Sequence, residues 1–155
     1  MTVEQGSVAP PFEMPASGGR TVRSGDFAGK PYVLYFYPKA DTSGCTAEAC
    51  AFQKALPQLG TLGLDVIGVS KDKLKAIGKF ADKYKLTFPL ASDETTGVAE
   101  AYGTWTEKSM YGRKYMGIER STFLVGRDGR VARVWRSVRV PGHAAEVLQA
   151  AQALG

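Results

Sequence analysis

The stretch from residue 32 to residue 50 constrains this chain more than any other. Tyr32-Val33-Leu34-Tyr35-Phe36-Tyr37 is an unbroken β-branched and aromatic run, the composition of a central strand buried on both faces. Pro38 has no N–H to give to a sheet ladder, so it ends the strand. The loop Lys39-Ala40-Asp41-Thr42-Ser43-Gly44 follows, and residues 45–56 turn to helical periodicity. Cys45, Ala49, Phe52, Leu56 and Leu59 share the apolar face of that helix. Thr46, Cys50, Gln53 and Lys54 fall on the opposite, polar face. Pro57 is expected to kink or end it.

Around this element the chain reads as alternating units. Residues 12–14 and 20–22 are predicted to form a hairpin about Gly18-Gly19, and Phe27 to tuck under the core. Residues 64–70 read as a second buried strand. Residues 72–84 read as a second helix with Leu74, Ile77, Phe80, Ala81 and Tyr84 inward. Residues 88–91 suggest a short edge strand, and Ser92 or Asp93 the cap of a short helix reaching Tyr102. Residues 111–116 and the segment from Glu119 look like a hairpin approach to a strand at 121–125. A Gly126-Arg127-Asp128-Gly129 turn leads to a partner strand at 131–140, and Pro141-Gly142 opens a last helix. This order predicts an α/β fold: a mixed sheet with helices on both faces. The 155 residues fit a single domain, 1–155.

The totals exclude several classes. No run of about 18 apolar residues is present, so no helix is expected to span a membrane. The first 15 residues are polar and Pro-rich, unlike a secretory signal, and the cytoplasm is the expected location. A net charge of +5 invites a nucleic-acid partner. The arginines of the 130–140 segment, however, alternate with Val and Trp as on the wet side of a strand, so no nucleic-acid role is expected. Two cysteines five residues apart are not a disulfide framework and would staple almost nothing. They point to redox chemistry or metal binding. Zinc would want about four Cys or His ligands, and the chain has two Cys and one His.

A thiol reacts as its thiolate, and an ordinary thiol is about 3% ionised at pH 7. The first turn of a helix favours an anion through its unpaired N–H groups and its dipole, so Cys45 is the candidate nucleophile. Complete ionisation raises a rate by at most about 30-fold, or about 2 kcal/mol. A fast peroxidase needs, in addition, donors that hold the O–O group in line with sulfur and stabilise the departing oxygen. Thr42, the N–H groups around Gly44 and Cys45, and an arginine are suitable. Gly44 leaves little bulk beside the sulfur, and Pro38 is placed to shield it from water and stiffen the loop. On an intact helix the Cα atoms of Cys45 and Cys50 lie roughly 8–9 Å apart, whereas a disulfide needs less than about 7 Å. A bond between them therefore requires the first helical turns to unwind once Cys45 becomes a sulfenic acid.

At these residues the chain resembles a peroxiredoxin. Pro38, Thr42 and Cys45 stand as P-x-x-x-T-x-x-C, the active-site pattern of that family. The wider segment from Phe36 to Cys50 resembles the bacterioferritin comigratory protein, or peroxiredoxin Q, subfamily, in which a resolving cysteine follows the peroxidatic one by five residues. Arg120-Ser121-Thr122-Phe123-Leu124-Val125 and the Asp128-Gly129 turn are similar to the segment that carries the family's active-site arginine. Ser43 stands where the subfamily often has Pro. The resemblance implies a thioredoxin-like fold, with Cys45 peroxidatic and Cys50 resolving. It implies that Arg120 favours the Cys45 thiolate and holds the peroxide, while Thr42 hydrogen-bonds it. It further implies hydrogen peroxide and organic hydroperoxides as substrates, a thioredoxin-type thiol reductant, no metal or prosthetic group, and a monomer acting in antioxidant defence.

Blander roles stand beside these. Thr42 is also placed to cap the helix, Glu48 to favour its dipole, and Arg120 to be a strand-end surface charge. His143, after Pro141-Gly142, reads as an exposed helix-start residue rather than a general base. Trp105, Trp135, Tyr35 and Tyr37 read as core or rim aromatics, and residues 105–116 as a border of the active-site mouth. Competing functions are a one-cysteine peroxidase or redox-sensing relay in which Cys50 does not resolve, and a copper chaperone using both cysteines and His143. A dithiol oxidoreductase would want C-x-x-C, which is absent.

Overall fold

The structure is a computed structural model and describes residues 3–154. The predicted hairpin is β1 (Glu13–Ala16) and β2 (Arg20–Arg23), paired antiparallel, and its turn uses left-handed φ values of 75° and 70° at Gly18 and Gly19. The aromatic run forms β3 (Tyr32–Phe36), followed by α1 (Ser43–Thr61), β4 (Asp65–Ser70) and α2 (Leu74–Tyr84). Then come β5 (Leu90–Ser92), α3 (Val98–Ala101), β6 (Trp105–Met110) and β7 (Arg113–Ile118). The chain ends with β8 (Ser121–Val125), β9 (Val131–Trp135) and α4 (His143–Gln152).

Seven strands make one mixed sheet in the order β2-β1-β5-β4-β3-β8-β9. β3 is parallel to β4 and antiparallel to β8. Every β3 side chain is buried, and alternation sends them to two cores. Val33 and Tyr35 face the cluster that includes Phe52, Leu59, Ile77, Phe80 and Val147, from α1, α2 and α4. Tyr32, Leu34 and Phe36 face Met14, Ile67, Ala99, Tyr102 and Phe123. The three longer helices thus cover one face, and only short α3 packs on the other. Among the described residues no helix is long and apolar enough to cross a membrane.

Several expectations change. The 88–91 segment is not an edge strand: β5 lies between β4 and β1, because the N-terminal hairpin adds to it through Ala16 and Ala91. The hairpin ahead of β8 is β6–β7, a two-stranded ribbon separate from the main sheet. The partner strand of β8 stops at Trp135 rather than at residue 140; Ser137 takes a φ of 49°, which breaks an extended ladder. Helix α1 runs through Pro57 to Thr61. Pro57 is exposed, so one forfeited N–H bond at the wet side does not end the helix. Leu74 is 41% exposed, because it sits at the first position of α2 and not on its inward stripe. Asp93 does hold the start of α3, accepting the Val98 and Ala99 N–H groups at 2.9 and 2.7 Å.

Candidate active site

β3 delivers the chain to Pro38, and the loop behind it turns into α1. Ala40 anchors that loop by donating its N–H to Asp72 at 2.7 Å. Asp41 takes a left-handed φ of 61°, and this turn carries the Thr42 hydroxyl back over the Lys39 carbonyl, to which it donates at 2.9 Å. Thr42 is the N-cap by position, yet its side chain caps nothing, contrary to that expectation. The first intrahelical bond runs from the Thr46 N–H to the Thr42 carbonyl at 2.9 Å. The N–H groups of Ser43, Gly44 and Cys45 therefore have no helical acceptor and point toward the start of the helix, a concentration of donors suited to an anion.

Cys45 is 1% exposed and free, and Arg120 reaches it from the β7–β8 junction. Arg120 Nη2 donates to Cys45 Sγ at 3.3 Å, a bond that strengthens when the sulfur carries charge. Val138 steadies the arginine's backbone by donating its N–H to the Arg120 carbonyl at 3.0 Å. Gly44 leaves room here: a Cβ at that position would lie 3.2 Å from Arg120 Nη2, and the guanidinium would have to shift by a few tenths of an ångström. The surface-charge role for Arg120 is overturned by this geometry.

Sequence reasoning gave Glu48 the helix dipole as its simplest role and did not foresee its pairing with Arg120. Glu48 is 1% exposed, and its Oε1 accepts from Arg120 Nη1 at 2.6 Å, so one guanidinium spans carboxylate and sulfur. Burial pushes the Glu48 carboxyl up from 4.5 to about 7, and Arg120 opposes the shift. Among the described residues, the second oxygen of Glu48 and the hydroxyl of Tyr35 find no hydrogen-bond partner. Burial holds the Tyr35 and Tyr37 phenols well above their ordinary 10, so they stay neutral. A signal for Glu48 was present: it lies three residues after Cys45, on the same helical stripe.

Pro38 and Thr42 are exposed, while Cys50 is half-buried on α1. His143 is not exposed as expected; it is 3% exposed because α4 packs its first turn onto Phe52 and Trp135, ring centroids 6.0 and 5.6 Å away. Its Nε2 shares a 2.7 Å hydrogen bond with the Thr122 hydroxyl, and burial lowers its pKa to about 4, so the ring is neutral. Tyr35 and Tyr37 are core aromatics, and Trp105 and Trp135 are half-buried. The 105–116 ribbon leads directly toward Arg120 and presents Met110, Tyr111, Tyr115 and Met116 to solvent. Among the described residues no three of His, Cys, Asp or Glu gather as a metal site would require.

Known proteins resemble this chain in sequence and in fold. The profile described as the AhpC/TSA family matches residues 5–134. The putative peroxiredoxin bcp of Coxiella burnetii is 47% identical over 148 residues, 96% of this chain and 98% of that protein. Peroxiredoxin Bcp of Bacillus subtilis is 46% identical over 149 residues, covering 96% and 95%. Xanthomonas campestris peroxiredoxin Q superposes with a TM-score of 0.87 at 42% identity, covering 92% of this chain and 90% of that one. A bacterioferritin comigratory protein from that organism, solved as trapped intermediate and ligand complexes bearing on its alkyl peroxide reduction, gives 0.87 at 41% identity, with the same coverage. A thioredoxin-like sheet, an arginine shared between a buried cysteine and a buried carboxylate, and these relatives agree: the chain belongs to the AhpC/TSA family of peroxiredoxins, on its Bcp, or peroxiredoxin Q, branch.

Proposed function

We propose that this protein is a thiol-dependent peroxidase in which Cys45 attacks the hydroperoxide and Cys50 resolves the product. The observation that carries this is the Arg120 guanidinium, 3.3 Å from the Cys45 sulfur and held in place by Glu48. The Cys45 thiolate attacks one peroxide oxygen and the O–O bond breaks. The leaving oxygen takes a proton to depart as water or an alcohol, and Cys45 is left as a sulfenic acid. Arg120 and the N–H groups of Gly44 and Cys45 stabilise charge on the two oxygens in the transition state. The Thr42 hydroxyl, whose proton goes to the Lys39 carbonyl, accepts from the peroxide O–H through a lone pair, and Pro38 limits water at the mouth.

The Cys50 thiol then attacks the Cys45 sulfur, a disulfide forms and water leaves. Both cysteines lie within α1, so the helix must open first. A dithiol of thioredoxin type returns the two electrons. Alkyl hydroperoxides suit the site, given the alkyl peroxide reduction described for the Xanthomonas relative. We further read the chain as one domain and a monomer. A cytoplasmic location fits two cysteines left free rather than bridged structurally.

The test is the mass of reduced protein after about one equivalent of hydrogen peroxide, timed against thiol loss. Rapid loss of two hydrogens without dimer formation is expected, and Cys50→Ser should trap one added oxygen on Cys45. Oxidation no faster than that of an ordinary exposed thiol would remove the peroxidase assignment. A fast sulfenic acid with Cys50 left free would instead favour the one-cysteine alternative.

A further inference from the structure

If Cys50 resolves Cys45, the residues between them must leave the helix in every turnover. Both ends of that segment are tied to one short stretch of chain, the end of α2 and the loop behind it. Ahead of Cys45, the two carboxylate oxygens of Asp41 accept from the Tyr84 hydroxyl at 2.7 Å and from Lys83 Nζ at 2.9 Å. Beyond Cys50, Gln53 is held twice by Thr87: its Nε2 donates to the Thr87 hydroxyl at 2.8 Å, and its Oε1 accepts the Thr87 N–H at 2.8 Å. Cys50 and Gln53 lie three apart, on one face of α1. None of these contacts touches Cys45 or Arg120, and the one nearest the site falls on Asp41, next to Thr42.

The two ties differ in kind. Lys83 and Asp41 have side chains 59% and 43% exposed, so their ion pair is screened by water and salt and yields readily. Thr87 cannot follow a helix that unwinds. Its neighbours Leu86 and Phe88 are buried, and Arg20 Nη1 holds its carbonyl at 3.3 Å. We propose that Asp41 with Lys83 and Tyr84 is the latch whose release begins the unwinding of α1, and that Gln53 with Thr87 is the stop at which it ends. These are positioning residues, resting on the role given above to Cys50. They set how readily, and how far, α1 opens for the Cys50 thiol to displace the sulfenic oxygen of Cys45 as water.

Three measurements on the full chain test this. Lys83→Met with Tyr84→Phe should leave the Cys45 oxidation step within about two-fold of native and raise the disulfide-closing rate constant about three-fold. The fraction of Cys45 driven to sulfinic acid by excess peroxide should fall in proportion, because closure competes with a second oxidation. In the native chain alone, raising salt to about 1 M should reproduce part of the faster closure; the Lys83→Met chain should not respond. In the disulfide form, hydrogen exchange should be fast over residues 42–50 and slow from 53 onward. Gln53→Ala should carry fast exchange beyond residue 53, and Gln53→Glu, which keeps acceptors for Thr87, should restore the boundary. Closure indifferent to the latch variant and to salt, or a boundary unmoved by Gln53→Ala, would overturn the proposal. If the native chain forms no Cys45–Cys50 disulfide at all, the reading of Cys50 fails, whereas a disulfide insensitive to these variants removes only the latch and stop.

Discussion

The two halves of α1 are built from different interactions. Its first eight residues, 43–50, place only small side chains, Cys45 and Ala49, in the core. Glu48 is held there by one arginine from a distant strand. Its second half inserts Phe52, Ala55 and Leu59. Phe52 stacks on Tyr35 with centroids 4.7 Å apart, and Leu59 is fully buried in the same cluster as Val147 and Ala151 of α4. Apolar stabilisation scales with area, so most of the cohesion of this helix resides in the half that does no chemistry. The reactive half is held mainly by directional polar contacts, which water can replace as they break. One helix can therefore position a nucleophile and still release it, provided the opening stops before Phe52 and Leu59 are exposed.

The largest effect is expected where that contrast is broken on the apolar side. Phe52→Ala should destabilise the protein by about 3–5 kcal/mol, read from denaturant unfolding of the reduced chain. Cys45→Ser, on the other side, should change stability by less than about 1 kcal/mol while abolishing peroxide reduction. Equal stability losses from the two would mean that the halves are not energetically distinct.

Next in size is Arg120→Met. The reaction of Cys45 with hydrogen peroxide should slow about 10²- to 10³-fold, or about 3–4 kcal/mol, in single-turnover kinetics, because the shared cation leaves both sulfur and peroxide. Glu48 would then take up a proton rather than remain a buried unpaired charge, so the fold should survive. A loss of less than about ten-fold would place the main stabilisation in the N–H groups of the helix start.

Glu48 also gives the reactive half a pH dependence that the apolar half lacks. Its folded pKa of about 7 lies above the ordinary 4.5. Between those values the folded protein holds a proton that the unfolded chain has released. This contribution is complete below pH 4.5 and is lost as pH rises through 7. Over that window it amounts to as much as about 3 kcal/mol. His143, whose folded pKa of about 4 lies below its ordinary 6.5, acts in the opposite sense and adds stability as pH rises to 6.5. Unfolding free energies measured from about pH 5 to about pH 8 should therefore rise more with pH in Glu48→Gln than in the native chain. An unchanged slope in the variant would assign the titration elsewhere.

Local pattern made much of this site legible. The β3 run is apolar on both faces, and the Cys45-Ala49-Phe52 stripe is helical, so strand, loop and helix start could be read without tertiary knowledge. What stayed hidden depends on residues far along the chain. The burial of Glu48 is set by Arg120, 72 residues away, and the interior position of β5 by pairing with the N-terminal hairpin. His143 follows a Pro-Gly turn and looks like surface; only α4 settling against Phe52 and Trp135 buries it. Thr42 looked like a cap because of its type, and the left-handed turn at Asp41 redirected its hydroxyl.

The smallest effect is expected from Pro57, and it tests the contrast most directly. Within α1 the proline has no N–H to return to the Gln53 carbonyl, and it is exposed, so Ala can replace it without disturbing the core. Helix propensity favours Ala by about 3 kcal/mol. The greater freedom of the unfolded chain offsets up to about 1 kcal/mol of this, leaving a gain of about 2 kcal/mol in global stability. If α1 opens as one unit, the extra stability must be overcome in every turnover, and disulfide closure should slow by about 30-fold. If opening ends at Gln53, Pro57 remains helical throughout, and Pro57→Ala should raise the unfolding midpoint while leaving closure within about 1.5-fold of native. A stabilised chain with unchanged closure would establish that the core half of this helix is insulated from the half that reacts.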